Sequence, residues 1–234
     1  MKNCVIMPVL AFVSIAPGWS QRNPHASLSR GVISYVAEDG KRQQIDVRRP
    51  CADLWVSPDG RVITFIAIEK SETPTPAEPE PFIKESSVYI ARASDHFKPV
   101  AVGLKPVLID GNLWTVFRNP SLSPDLQTVY FLVPYTATTW KLMRRALSGG
   151  IEKPVEDAMA YCVIWGGEHS GDLLTSNRQD SISGRPATGV TYPCYLSGRS
   201  GEHTMVADGV LQDCWAFDDF STRWSREHGG ACRL

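Results

Sequence analysis

From Gly31 onward the chain alternates apolar and polar positions in short runs, each broken by Gly, Pro, Asp or Ser. Period-two alternation over so few residues predicts half-buried strands. No stretch reads as an amphipathic helix, so the pattern predicts an all-β protein. Residues 52–67 and 119–133 read alike: a strand, a Ser-Pro-Asp turn, and a second strand. The turns are Ser57-Pro58-Asp59-Gly60 and Ser123-Pro124-Asp125. Pro presets φ at its turn position, and the Ser and Asp oxygens can accept nearby backbone N–H groups. Asp59 and Asp125 are therefore read as turn-forming carboxylates, not catalytic ones. The strands that follow are β-branched and aromatic, as buried strands require.

Each unit continues into two more strands. Residues 87–94 lead to 98–102, and residues 140–150 lead to 151–155. A third copy ends in 192–198 and 203–206. Its front half is 161–165 and 172–176, joined by the turn 166–171. A four-stranded unit recurring every ~40–50 residues is the mark of a propeller blade. Residues 32–36 and 42–47 resemble the last two strands of a unit, and 210–217 resemble a first strand. Together they predict a shared closing blade and a ring of about four blades.

The Ser-Pro-Asp-Gly turn between apolar strands, followed by a strand ending in Phe, resembles the repeat of TolB-like (WD40-like, PD40) β-propellers. Residues 57–65 match it, and 123–131 match with Leu126 in place of Gly. The third unit departs from it at 166–171. The resemblance covers residues 31–217. It implies a small or partial TolB-like propeller, of a kind often periplasmic or extracellular and used for protein contacts or for covering an enzyme's active site. It implies no single activity. Neither the amino-terminal domain of TolB nor the hydrolase domain of propeller peptidases is expected here.

Composition narrows the function classes. The chain has 234 residues, 43% apolar and 21% charged, with a formal net charge of −1. That is an ordinary globular balance with no field to attract nucleic acid. Lys2 precedes an apolar run of 13 residues, 4–16. A basic start and a short apolar core read as a signal peptide, residues 1–20, cut after Ala16 or Ser20. The run is shorter than the ~20 residues that span a bilayer, so no transmembrane segment is expected after cleavage. The predicted location is periplasmic or secreted. Residues 71–86 hold a Pro/Glu-rich stretch and read as an inserted loop, and residues 218–234 read as a poorly patterned tail. Export favours disulfides, and Cys214 with Cys232 would tie down that tail.

No nucleophile elbow, phosphate loop or zinc-spaced cysteine pattern occurs, so no catalytic residue, cofactor or metal is assigned. Trp165, Glu168, His169, Glu202 and His203 are the candidate binding rim. His169 and His203 each follow Gly-Glu, and if both sat on one rim they could share a metal with Glu168 or Glu202. The sequence thus predicts an exported, non-catalytic module that binds another protein. The alternatives are a propeller hydrolase or lyase with its site at the channel mouth, or a fragment of a longer propeller protein.

Overall fold

The computed structural model describes residues 25–29, 31–36, 40–72, 83–136, 139–178, 192–199, 201–208 and 214–233. The expected signal peptide lies outside them, as do residues 73–82 and 209–213. Strands β1 (His25–Ser29), β2 (Val32–Val36) and β3 (Arg42–Asp46) form a three-stranded antiparallel sheet. β4 (Cys51–Val56), β5 (Val62–Ser71), β6 (Ile83–Arg92) and β7 (Val100–Ala101) form the first four-stranded one. A hairpin follows, β8 (Val107–Ile109) and β9 (Asn112–Trp114), around an Asp110-Gly111 turn. The second four-stranded sheet is β10 (Arg118–Leu122), β11 (Thr128–Thr136), β12 (Thr139–Ala146) and β13 (Lys153–Ala158). The third is β14 (Ala160–Val163), β15 (Leu173–Ser176), β16 (Cys194–Ser197) and β17 (His203–Ala207). In each sheet the strands pair in chain order, antiparallel throughout. This is the blade of a propeller, three times complete and once with three strands.

The Ser-Pro-Asp turns explain the repeat. Ser57 Oγ donates to Asp59 Oδ1 (2.6 Å) and accepts the Val62 N–H (3.0 Å), while Asp59 Oδ1 also accepts the Arg61 N–H (3.0 Å). Ser123 and Asp125 repeat this with Thr128 N (2.9 Å) and Gln127 N (3.0 Å). The fourth turn position is left-handed in both copies, φ 67° at Gly60 and 58° at Leu126. Leu126 thus adopts the glycine conformation at a steric cost, which is why the second turn keeps its shape after losing its glycine.

Neighbouring blades bury their facing surfaces against each other. Ile33, Tyr35 and Ile45 of the first sheet meet Ile63 and Phe65 of the next sheet and Phe97 of the turn between β6 and β7. Trp55, Ile66 and Val88 meet Leu122, Phe131 and Met143 across the next gap. Tyr130, Leu132 and Leu142 meet Tyr161, Val163 and Leu173 across the third. The last blade then turns Cys162, Ile164, Leu174 and Cys194 not onto another blade but onto a helix, α1 (Cys214–Glu227). Phe217 of α1 is fully buried there, with Phe220 and Trp224 beside it. At the other end the register places Ser27, Ser34 and Gln44 in one row on the outer face of the first sheet. Among the described residues the array is therefore open, ending in a mostly polar sheet face at one end and a helical cap at the other.

Several expectations are corrected. Residues 214–227 are helix, so 214–217 of the expected closing strand 210–217 are not strand, residues 210–213 lying outside the described ones, and the tail expected at 218–234 begins inside that helix. Strand β2 pairs with β1 on one side and with β3 on the other. Cys232 is bonded to Cys162, across a Cα–Cα distance of 5.8 Å, and so is not available to Cys214. The reason is packing: the chain after α1 runs back along β14, with Trp165 and Ala231 exchanging two backbone hydrogen bonds (2.9 and 2.7 Å). The expected loop 71–86 is shorter at both ends, since Ser71 closes β5 and Ile83 to Ser86 belong to β6.

Candidate functional site: the axial cavity

The first strands of the complete blades gather side by side, with β10 against both β4 and β14. Asp53 in β4 and Asn119 in β10 stand at the same place in the repeat, four residues before the Ser of each turn. Both are left-handed (φ 49° and 47°), and both sit at slips in strand register, between Ala52 and Trp55 and between Arg118 and Ser121. Asp and Asn tolerate that conformation better than other residues with a Cβ. The bulges break the alternation and re-aim the side chains. Arg118 then meets Asp53 through two nitrogens: Nε donates to Oδ2 and Nη2 to Oδ1 (3.0 Å). The Asn119 N–H donates to the same carboxylate (3.0 Å). This fork holds Arg118 in one geometry and raises its already high pKa, the Asp53 hydrogen bond being the main cause.

Tyr161 of β14 closes the arrangement. Its hydroxyl donates to the Asn119 carbonyl (2.5 Å) and accepts from Ser121 Oγ (3.0 Å). Burial pushes the phenol far above its ordinary range, so it stays a neutral donor. The result is a cavity of about 530 Å³ walled by the Asp53–Arg118 pair, Trp55, Met159 and Tyr161. Asp218 of α1 and Arg233 of the tail complete it. Trp55 Nε1 donates to the Arg233 carbonyl (3.0 Å), which fixes the tail at the cavity edge. Desolvation, then the neighbouring Asp219 charge, raises the Asp218 pKa.

The candidate rim residues are dispersed. Trp165 lies between blades: Nε1 donates to the Leu122 carbonyl (3.1 Å) and its ring packs on Trp55 at 5.8 Å. It is half-buried between the blades. Glu168, His169 and Glu202 do share a cleft, of about 480 Å³, with Asp172 and Arg199. His169 Nδ1 lies 3.2 Å from Asp172 Oδ2 and Nε2 lies 3.2 Å from Glu168 Oε1, while its ring contacts Trp224 and His228. His203 is elsewhere. Successive residues of a strand point to opposite faces. Thr204 therefore lines the α1-side cleft, whereas His203 turns toward the neighbouring blade, 3.6 Å from Glu156 and against Tyr195. The two histidines do not share a rim. Among the described residues no group of three metal-ligating side chains assembles.

Sequence reasoning missed Asp53, Arg118 and Asp218. The repeat alignment of Asp53 with Asn119 carried a signal, because two αL-tolerant residues at one repeat position mark a bulge. Phe217, Phe220 and Trp224, spaced by three and four, carried the signal of the helix.

No protein-family model and no curated protein matches the chain. Among solved structures it is similar to the beta-propeller domain of the Trilobed protease from Pyrococcus furiosus, at 11% identity and a TM-score of 0.45, over 81% of this chain and 59% of that one. It is similar to an acylaminoacyl peptidase at 13% identity and a TM-score of 0.45, over 81% of this chain and 33% of the other. A putative TolB from Agrobacterium tumefaciens is similar over 84% of this chain and 83% of its own, with 13% identity and a TM-score of 0.35. The chain thus spans little more than half of the first and a third of the second. What makes it a propeller is its own strand order and the packing between its sheets.

Proposed function

We propose that this chain is an exported, non-catalytic module that binds another protein through its axial cavity. The observation that carries this is the cavity itself: three consecutive blades and the C-terminal cap converge on it, and the Asp53–Arg118 fork holds it in shape. A rigid concave surface mixing aromatic and charged groups suits a partner segment. Export is supported by the Cys162–Cys232 bond, which favours an oxidising compartment, and by the basic, then apolar N-terminus. No described helix is long and apolar enough to cross a membrane.

One observation favours a hydrolase instead. His169 and Asp172 form a base-and-orienter contact, although Nε2 meets Glu168 and not a hydroxyl. A photo-crosslinking residue at Asn119, compared with one at the distant Ile151, separates the readings in the exported fraction. The binding module predicts one dominant adduct from position 119, absent from 151 and unchanged by His169→Ala. Equal adducts from both positions, or hydrolytic activity lost on His169→Ala, would contradict it.

A further inference from the structure

The outer edges of the blades are unequally protected. Among the described residues the first sheet has three strands where the blades after it have four, so β3 lies at an outer edge with no strand beyond it. The fourth strands of the complete blades are poor templates for further pairing. β7 is two residues long, β13 carries Pro154 and a slip of register, and β17 carries a slip of register. β3 has none of these: its five residues pair with β2 without a slip. The Val47 N–H donates to the Gly31 carbonyl (3.0 Å), which continues that register and sets its phase. In an antiparallel ladder hydrogen-bonded and non-bonded pairs alternate. Residues 43, 45 and 47 therefore turn their backbone groups to β2, while Arg42, Gln44 and Asp46 turn theirs outward. The side chains of these three are exposed, on the face away from Ile45, which is buried against the next blade.

We propose that β3 pairs with β3 of a second copy of this chain, antiparallel and two-fold about Gln44, joining the two first sheets into one. In that register Gln44 meets Gln44, and Arg42 meets Asp46 of the other copy, twice by symmetry. The residues with outward backbone groups thus meet one another, and each outward N–H finds a carbonyl. The side chains agree, since opposite charges then face each other directly. A slip by two residues separates those charges, and a parallel pairing sets Arg42 on Arg42 and Asp46 on Asp46. Charges that blunt this edge toward other strands are complementary toward a second copy of it. Asp46 also holds Arg48, whose N–H donates to Oδ1 (3.0 Å) and whose Nε lies 3.4 Å from Oδ2. That pair is open to solvent, and a carboxylate has about four acceptor sites, so Arg42 of the second copy adds to it. The pairing uses none of the residues that line the axial cavity and stands apart from the function proposed for it.

The test is sedimentation equilibrium of the exported chain, which should show a monomer–dimer equilibrium that salt weakens. Gln44→Pro removes an outward N–H from an edge strand, where proline is tolerated. It should abolish the dimer and leave the melting of dilute protein unchanged. Arg42→Asp and Asp46→Arg should each weaken self-association roughly tenfold, because like charges then face each other. Mixed in equal amounts, the two variants should associate as the parent does, since the opposite-charge pairs form again between them. A mixture that associates no better than either variant alone overturns the register. A dimer that keeps its strength in Gln44→Pro and in Arg42→Asp forms through another surface and overturns the proposal. So does a chain that sediments as a monomer up to millimolar concentration. If Gln44→Pro fails to fold, Arg42→Asp and the mixture decide the matter, because both leave the backbone pairing of β2 with β3 intact.

Discussion

At the scale of single residues, the turn serines have more effect than their size suggests. Ser57 is fully buried and holds the Val62 N–H, the first donor of the strand after the turn. Ser57→Ala leaves that donor without its partner, so it should cost about 1–3 kcal/mol in urea unfolding. An unchanged midpoint would mean that water replaces the hydroxyl. Asp125 makes a separate, pH-dependent prediction. The Ser123 hydrogen bond, then that of the Gln127 N–H, depresses its pKa. A depressed carboxylate adds stability that is full above the unfolded value of ~3.9 and is lost as pH falls through the folded value. Asp125→Asn should therefore melt lower than the parent at pH 7, and the gap should shrink below pH ~4. A gap constant with pH would assign the loss to shape and not to charge.

At the scale of elements, the C-terminal helix is the part that the repeat pattern did not foretell. The third repeat loses its Ser-Pro-Asp turn at 166–171 because that turn serves as the socket for the tail. Gly167 has φ 68°, and a Cβ there would stand 2.4 Å from the His228 carbonyl oxygen. The residues that looked like chemistry in the sequence, Trp165 and His169, pack against Trp55 and against Trp224 with His228 instead. Gly167→Ala should therefore lower stability by about 1–2 kcal/mol from backbone strain alone. It should also speed hydrogen exchange at residues 228–231; unaltered exchange there would detach the turn from the cap. The strands, by contrast, were legible. β5, β11 and the paired β2 and β3 announce themselves by alternation and turn residues, which are local properties. The cap was not legible, because one helix among many strands is specified by the face it covers. The Asp53–Arg118 pair was hidden for a related reason: it joins two strands 65 residues apart through bulges that reverse the expected facing.

At the scale of the whole molecule, the open array must end without leaving apolar blade faces in water. The first sheet ends it with a row of Ser27, Ser34 and Gln44, and the last blade ends it with Phe217, Phe220 and Trp224 of α1. The Cys162–Cys232 bond closes a chain separation of 70 residues. A loop of that length limits the unfolded chain by roughly 4 kcal/mol in the entropic account. Reduction, or Cys232→Ser, should lower the melting temperature by several degrees. The cap should loosen before the blades do, seen as earlier quenching of Trp224. A Cys232→Ser variant that melts with the parent would show that the bond adds little. Closure by strand exchange between the chain ends would instead require residues 210–217 to pair with β2 and β3. Mapping the disulfide by mass spectrometry of the exported, non-reduced protein distinguishes these architectures most directly. A capped open array predicts one linked peptide pair joining Cys162 to Cys232, and a Cys214–Cys232 link in its place would contradict it.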